Sequence, residues 1–164
     1  MLHSIIAFIR FAAYLIGSKK YLKIVKKLDA EGKIAERDAL VKEQVAEWTK
    51  LVITLTGSTV EVKGAENIPQ NGAFVMVGNH QGYLDIPLLL GYVPKSIAFI
   101  SKIEILKAPI LSDWMKYMQC VFIDRKDRRQ SVEAMAQAVE NVKHGYPLVI
   151  FPEGTRSRGG PVAE

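Results

Sequence analysis

A chain of 164 residues, 49% of them apolar, is long enough for one domain with its own core and too apolar to be disordered. Its 22 basic and 17 acidic side chains leave a formal charge of +5, modest for a nucleic-acid binder but suited to an anionic surface or substrate, so no nucleic-acid partner is expected. The single cysteine, Cys120, excludes an intrachain disulfide and gives no sign of an oxidising compartment or a cysteine-ligated metal.

Between Met1 and Lys27 stand Arg10, Lys19, Lys20, Lys23, Lys26 and Lys27, with no acidic residue. Leu2 to Ile16 is apolar except for His3, Ser4 and Arg10. It falls short of the ~20 residues that a spanning helix needs. It also lacks the basic start and small-residue cleavage site of a secretory signal. A retained, membrane-contacting helix is expected, and each lysine that follows could add about 1 kcal/mol of attraction near an anionic leaflet. The alternative is a core helix with a solvated basic tail.

After a polar turn at Asp29 to Lys33, Val41, Val45, Trp48, Val52 and Leu55 recur at helical spacing until Gly57. Residues 1–57 are therefore expected to form a helical hairpin serving membrane attachment, appended to a domain over 58–164. Thr59 to Lys63 alternates as a strand does, and Pro69-Gln70-Asn71-Gly72 is a turn cluster. Four segments rich in β-formers follow: Ala73 to Val77, Ser96 to Ser101, Cys120 to Asp124 and Pro147 to Phe151. Helices are expected between them at Pro87 to Tyr92 and Pro109 to Tyr117, and along the apolar stripe Val132, Met135, Val139 and Val142. The alternation predicts an α/β fold with a largely parallel or mixed sheet flanked by helices.

In such sheets ligands gather at the carboxyl ends of the strands. One loop there holds His80 and Asp85 between Gly78 and the helix expected at Pro87. Five residues on a continuous helix would rotate the pair by ~500°, onto different faces. If both precede the helix, a compact loop can fold Asp85 onto the imidazole and fix its tautomer for proton abstraction. The alternative is a loop carboxylate that satisfies backbone donors. A second loop, Phe151-Pro152-Glu153-Gly154-Thr155-Arg156-Ser157-Arg158, offers an acid and guanidinium groups that match phosphate, or else a solvated surface turn. A third, Val121-Phe122-Ile123-Asp124-Arg125, opens a basic run of a kind that is usually just solvated.

Together the three segments resemble the glycerolipid acyltransferase family, most of all its bacterial 1-acylglycerol-3-phosphate members. They match its His-x-x-x-x-Asp, Phe-Ile-x-Arg and Phe-Pro-Glu-Gly-Thr-Arg-Ser blocks between about Val75 and Arg158. The resemblance implies a glycerol-3-phosphate acyltransferase-like fold with membrane-docking amino-terminal helices, at the cytoplasmic face of a membrane. It implies catalysis by His80 with Asp85. Substrate binding would fall to Lys102, Arg125, Glu153, Gly154, Thr155 and Arg156, with phosphate held by Arg125, Arg156 and Lys102.

The implied reaction joins an acyl thioester, acyl-CoA or acyl carrier protein, to the free hydroxyl of lysophosphatidic acid. It needs no metal, no cofactor and no covalent enzyme intermediate, and backbone donors near Gly154 are expected at the oxyanion. No Gly-x-Ser-x-Gly turn suggests a serine hydrolase, and His3, His80 and His144 form no recognised metal-ligand cluster. The alternatives are a catalytically silent membrane-binding fragment or an acyltransferase for another lysophospholipid. Two departures accompany the resemblance. Gln119-Cys120 stands where the family usually has glycine, so a different local backbone is expected. Family members also continue past the third block with further strands and a fourth, proline-containing block, so a carboxyl-terminally truncated member is expected.

Overall fold

The computed structural model describes residues 2–157, which places Arg158 and the patternless tail from Gly159 to Glu164 outside the described residues. The polypeptide begins with two long helices, α1 (Leu2–Ala30) and α2 (Ile34–Thr56). The lysines expected to follow the apolar stretch belong to the same uninterrupted helix α1, roughly 43 Å long at 1.5 Å per residue. The polar turn forms where the sequence puts it: the Lys33 N–H returns to the Leu28 carbonyl and the Gly32 N–H to that of Asp29. Gly57, in the left-handed region, ends α2. Leu22 and Val25 of α1 bury against Val41 of α2 and against Trp114, whose indole N–H donates to the Ser18 hydroxyl at 2.9 Å.

At the turn end of the hairpin, buried Arg37 donates to Asp29, Asp38 and the Tyr146 hydroxyl. Burial opposes its charge, but the hydrogen bonds to Asp29 and Asp38 outweigh that cost and raise its pKa. This ties the hairpin to the segment that leads into the last strand.

Four strands, β1 (Val75–Val77), β2 (Ala98–Lys102), β3 (Val121–Ile123) and β4 (Leu148–Ile150), alternate with α3 (Asp85–Tyr92), α4 (Pro109–Tyr117) and α5 (Arg128–Lys143). They form an α/β fold in which every described strand pair is parallel, in the order β1-β4-β2-β3. One sheet face, with Phe99 and Val149, packs on residues of α3 and α4, including Ile86, Leu90 and Met115. The other, with Ala98, Val121 and Leu148, packs on α5. The strand pattern expected at 59–63 does not become a strand: the segment pairs with nothing in the described sheet, and Val62 stays exposed.

The expected stripe on α5 is also corrected. Ala134 and Ala138 form the buried row with Val142 partly buried beside them, while Val132, Met135 and Val139 stay exposed. Small side chains four residues apart let the helix approach the sheet closely, which the bulkier row would prevent. Helices α2 and α3 cross just as tightly. A Cβ on Gly91 would fall 2.2 Å from the Thr49 methyl, so only glycine fits there.

Helix α4 ends in a Schellman motif, with the Gln119 N–H on the Lys116 carbonyl and the Cys120 N–H on the Met115 carbonyl. Gln119 occupies the left-handed position of that motif at φ 63°. The departure noted in the sequence is thus absorbed as backbone strain. Gln119→Gly is expected to stabilise the fold by about 0.5–1 kcal/mol, the left-handed penalty less glycine's larger unfolded-state entropy. A lowered urea midpoint for the variant would contradict this.

Candidate active site

Beyond β1 the Gly78 N–H still bonds the Ile150 carbonyl, so the His80 loop starts from a paired backbone. Asp85 does not precede α3, as the sequence suggested, but opens it. The pair nevertheless meets, because His80 is outside the helix and the intervening turn folds it back. Asp85 Oδ2 accepts from the His80 ring Nδ1–H at 2.7 Å and from the N–H groups of Gln81 at 2.7 Å and Gly82 at 2.9 Å. Partial burial opposes the charge, but the Gly82 N–H, the imidazole and the Gln81 N–H outweigh it and hold the carboxyl below its ordinary range. An ionised carboxylate can only accept, so Nδ1 carries the proton and Nε2 is left as the basic nitrogen.

The imidazole stacks on Phe151 with ring centroids 4.4 Å apart, and Phe151 stacks in turn near Phe99. The main chain of His80 is gripped from both sides by the Glu153 loop. Its N–H donates to Glu153 Oε1 at 3.0 Å, and its carbonyl accepts the Ser157 N–H at 2.7 Å. Glu153, expected at the substrate, thus has one oxygen on the backbone of His80. Glu153→Gln keeps that acceptor and is expected to retain turnover within a few-fold. Glu153→Ala should lower kcat by about 10–100-fold, as for loss of a hydrogen bond to a charged group. An acceptor KM that rises while kcat holds would instead place the carboxylate on the substrate.

Lys102 at the end of β2, Arg125 after β3, and Gly154, Thr155 and Arg156 after β4 all converge on the cavity that His80 faces. The Arg125 guanidinium donates to the Gly154 carbonyl and lies over that residue, where φ is 63°. Its loop is braced by Gln130, which accepts the Asp124 N–H at 2.7 Å and donates to the Phe122 carbonyl at 2.9 Å. The Gly154 N–H, a candidate oxyanion donor by sequence, is already on the Phe151 carbonyl at 2.9 Å.

The cavity encloses about 650 Å³. Apart from those cations its lining is largely apolar, with Phe99, Trp114, Met115 and Met118, and with Phe11 and Trp48 from the hairpin. Phe11 meets Trp48 edge to face at 6.3 Å. Nothing in the sequence pattern places these hairpin aromatics at the cavity, and only their position in space does. Cys120 also lines the wall, where burial pushes its thiol up to about 12, so it packs rather than attacks. Among the described residues no three His, Cys, Asp or Glu side chains converge as a metal site requires.

The acyltransferase family model matches residues 59–164. The chain belongs to the acyltransferase family. Among relatives of this family member, the chloroplastic 1-acyl-sn-glycerol-3-phosphate acyltransferase LPAT1 of Arabidopsis thaliana is 40% identical over 62% of this chain and 28% of its own length. The 1-acyl-sn-glycerol-3-phosphate acyltransferase of Helicobacter pylori is 37% identical over 65% and 44%. A probable enzyme of the same name from Mycoplasma pneumoniae is 32% identical over 92% and 54%. The crystal structure of the 1-acyl-sn-glycerophosphate (LPA) acyltransferase PlsC from Thermotoga maritima superposes with a TM-score of 0.68 at 30% identity, covering 96% of this chain and 66% of that one. The chain spans about half or less of the length of these curated relatives.

Proposed function

We propose that this acyltransferase-family chain transfers an acyl group from an acyl thioester, acyl-CoA or acyl carrier protein, to the free hydroxyl of 1-acylglycerol-3-phosphate, giving phosphatidic acid. One observation carries the reading: a His–Asp pair whose histidine lines a cavity that joins the cations Lys102, Arg125 and Arg156 to a largely apolar lining. A lysophosphatidic acid has the same division, with its phosphate suited to Lys102, Arg125 and Arg156 and its chain to the apolar interior.

His80 Nε2 takes the hydroxyl proton as that oxygen attacks the thioester carbon. The tetrahedral intermediate then collapses, the carbon–sulfur bond breaks, and the proton passes to the thiolate. No covalent enzyme intermediate and no cofactor take part.

The protein works at the cytoplasmic face of a membrane, touching lipid with α1. Ile6, Ile9, Ile16 and Ile24 are exposed on that helix among its basic residues. No described helix is long and apolar enough to cross a membrane, and an interfacial helix needs no such length.

The test supplies lysophosphatidic acid and an acyl thioester and follows both phosphatidic acid and free thiol, with a neutral monoacylglycerol as the competing acceptor. Preference for the phosphorylated acceptor is expected. Transfer confined to another lysophospholipid would change the acceptor assignment. Liposome binding without any transfer would favour a silent membrane-binding fragment.

A further inference from the structure

We infer that Tyr83 is a positioning residue for anion recognition, its ring holding the Arg156 guanidinium in the orientation that a phosphate meets at the mouth of the cavity. The inference rests on the phosphate-binding part of the function proposed above. Arg156 Cζ lies 3.8 Å from the Tyr83 ring centroid, the distance of a guanidinium stacked on an aromatic face. Tyr83 is 83% exposed, so its large ring serves no core. It sits in the turn that joins His80 to Asp85, and both Tyr83 and Arg156 line the cavity beside His80.

Chemistry sets Arg156 apart from its neighbours. Arg125 already donates to the Gly154 carbonyl. Lys102 is an exposed point charge on a flexible stem. A stacked guanidinium uses its face and keeps its N–H donors in the plane, aimed past the ring edge. Among the described residues no carboxylate or carbonyl takes up those donors. Stacking also removes rotamer freedom that a free arginine would lose on gripping the anion, so the gain falls on affinity. One short turn therefore carries the base and the platform that aims the anion-binding group, which sets the distance between the phosphate and the hydroxyl to be acylated.

Tyr83→Leu should raise the KM for lysophosphatidic acid about two- to fivefold with kcat unchanged, the range for an exposed cation–π contact. Tyr83→Phe, which keeps the ring, should stay closer to the wild-type KM than Tyr83→Leu does. In an Arg156→Ala background, Tyr83→Leu should have no further effect. A second arm titrates sn-glycerol 3-phosphate and inorganic phosphate by NMR, with no turnover required, and should show the same two- to fivefold weakening. Weakening for both ligands would mean the stack serves phosphate as such, and for glycerol phosphate alone that it serves the headgroup. Equal affinities in wild type and Tyr83→Leu would overturn the inference, as would a Phe variant as damaged as Leu or a loss that persists without Arg156. Failure of acyl transfer with the binding pattern intact would count against the proposed reaction and leave the stack standing.

Discussion

His80→Ala is expected to lower acyl transfer by about 10³–10⁴-fold, near the upper range for a positioned general base. The figure follows from how completely the ring is fixed: Nδ1 on Asp85, one face on Phe151, and the main chain held at both its N–H and its carbonyl. The Asp85 contact leaves Nε2 as the basic atom, and among the described residues that line the cavity His80 is the one histidine. In the proposed mechanism the acceptor hydroxyl is far too weak an acid to ionise unaided near neutral pH, so losing the base acts on kcat more than on KM. The measurement is steady-state kinetics on purified wild type and variant, with thermal melts to confirm that both fold. Turnover within tenfold of wild type would sink the assignment.

Asp85→Asn is expected to cost nearly as much, about 10³-fold or more, although it removes only a charge. The carboxylate accepts three donors on one oxygen, and an amide in its place can turn an N–H₂ toward the ring and invert the tautomer. Stability supplies an independent readout. The folded pKa of Asp85 lies below its unfolded value, so the carboxylate's contribution is fully present above the unfolded value of about 4 and is lost as pH falls through the lowered folded value. The stability difference between wild type and Asp85→Asn should therefore narrow as the solution is acidified below that range. A difference independent of pH would mean that the charge is not what holds the loop.

Much of the layout was legible because periodicity and punctuation agree. Gly57 ends α2 and Pro109 opens α4 as expected, and each β-rich segment became a short strand of the sheet. Reading failed where local pattern and tertiary context diverge. Thr59 to Lys63 alternates but finds no partner strand, and α5 turns its alanines inward because close approach favours small side chains over greasy ones. At the site, the residue types came from motifs, but their division of labour did not. Glu153 reaches back 73 positions to the His80 backbone. No motif singles out Tyr83, and only geometry shows Arg156 lying on it.

The strand order also dictates when the candidate site can assemble during synthesis. Strand β4 lies between β1 and β2, so β1 has no described sheet partner until residues 148–150 arrive. The loop carrying His80 waits for the same event, since both groups that hold its peptide come from the segment just after β4. A nascent chain that has emerged only through α5 can build the hairpin and pair β2 with β3, while the His80 loop is still unorganised. Closing contacts so distant in sequence is slow compared with local helix formation. Order at His80 is thus a late milestone of folding, and hydrogen exchange at its amide should report the insertion of the final described strand.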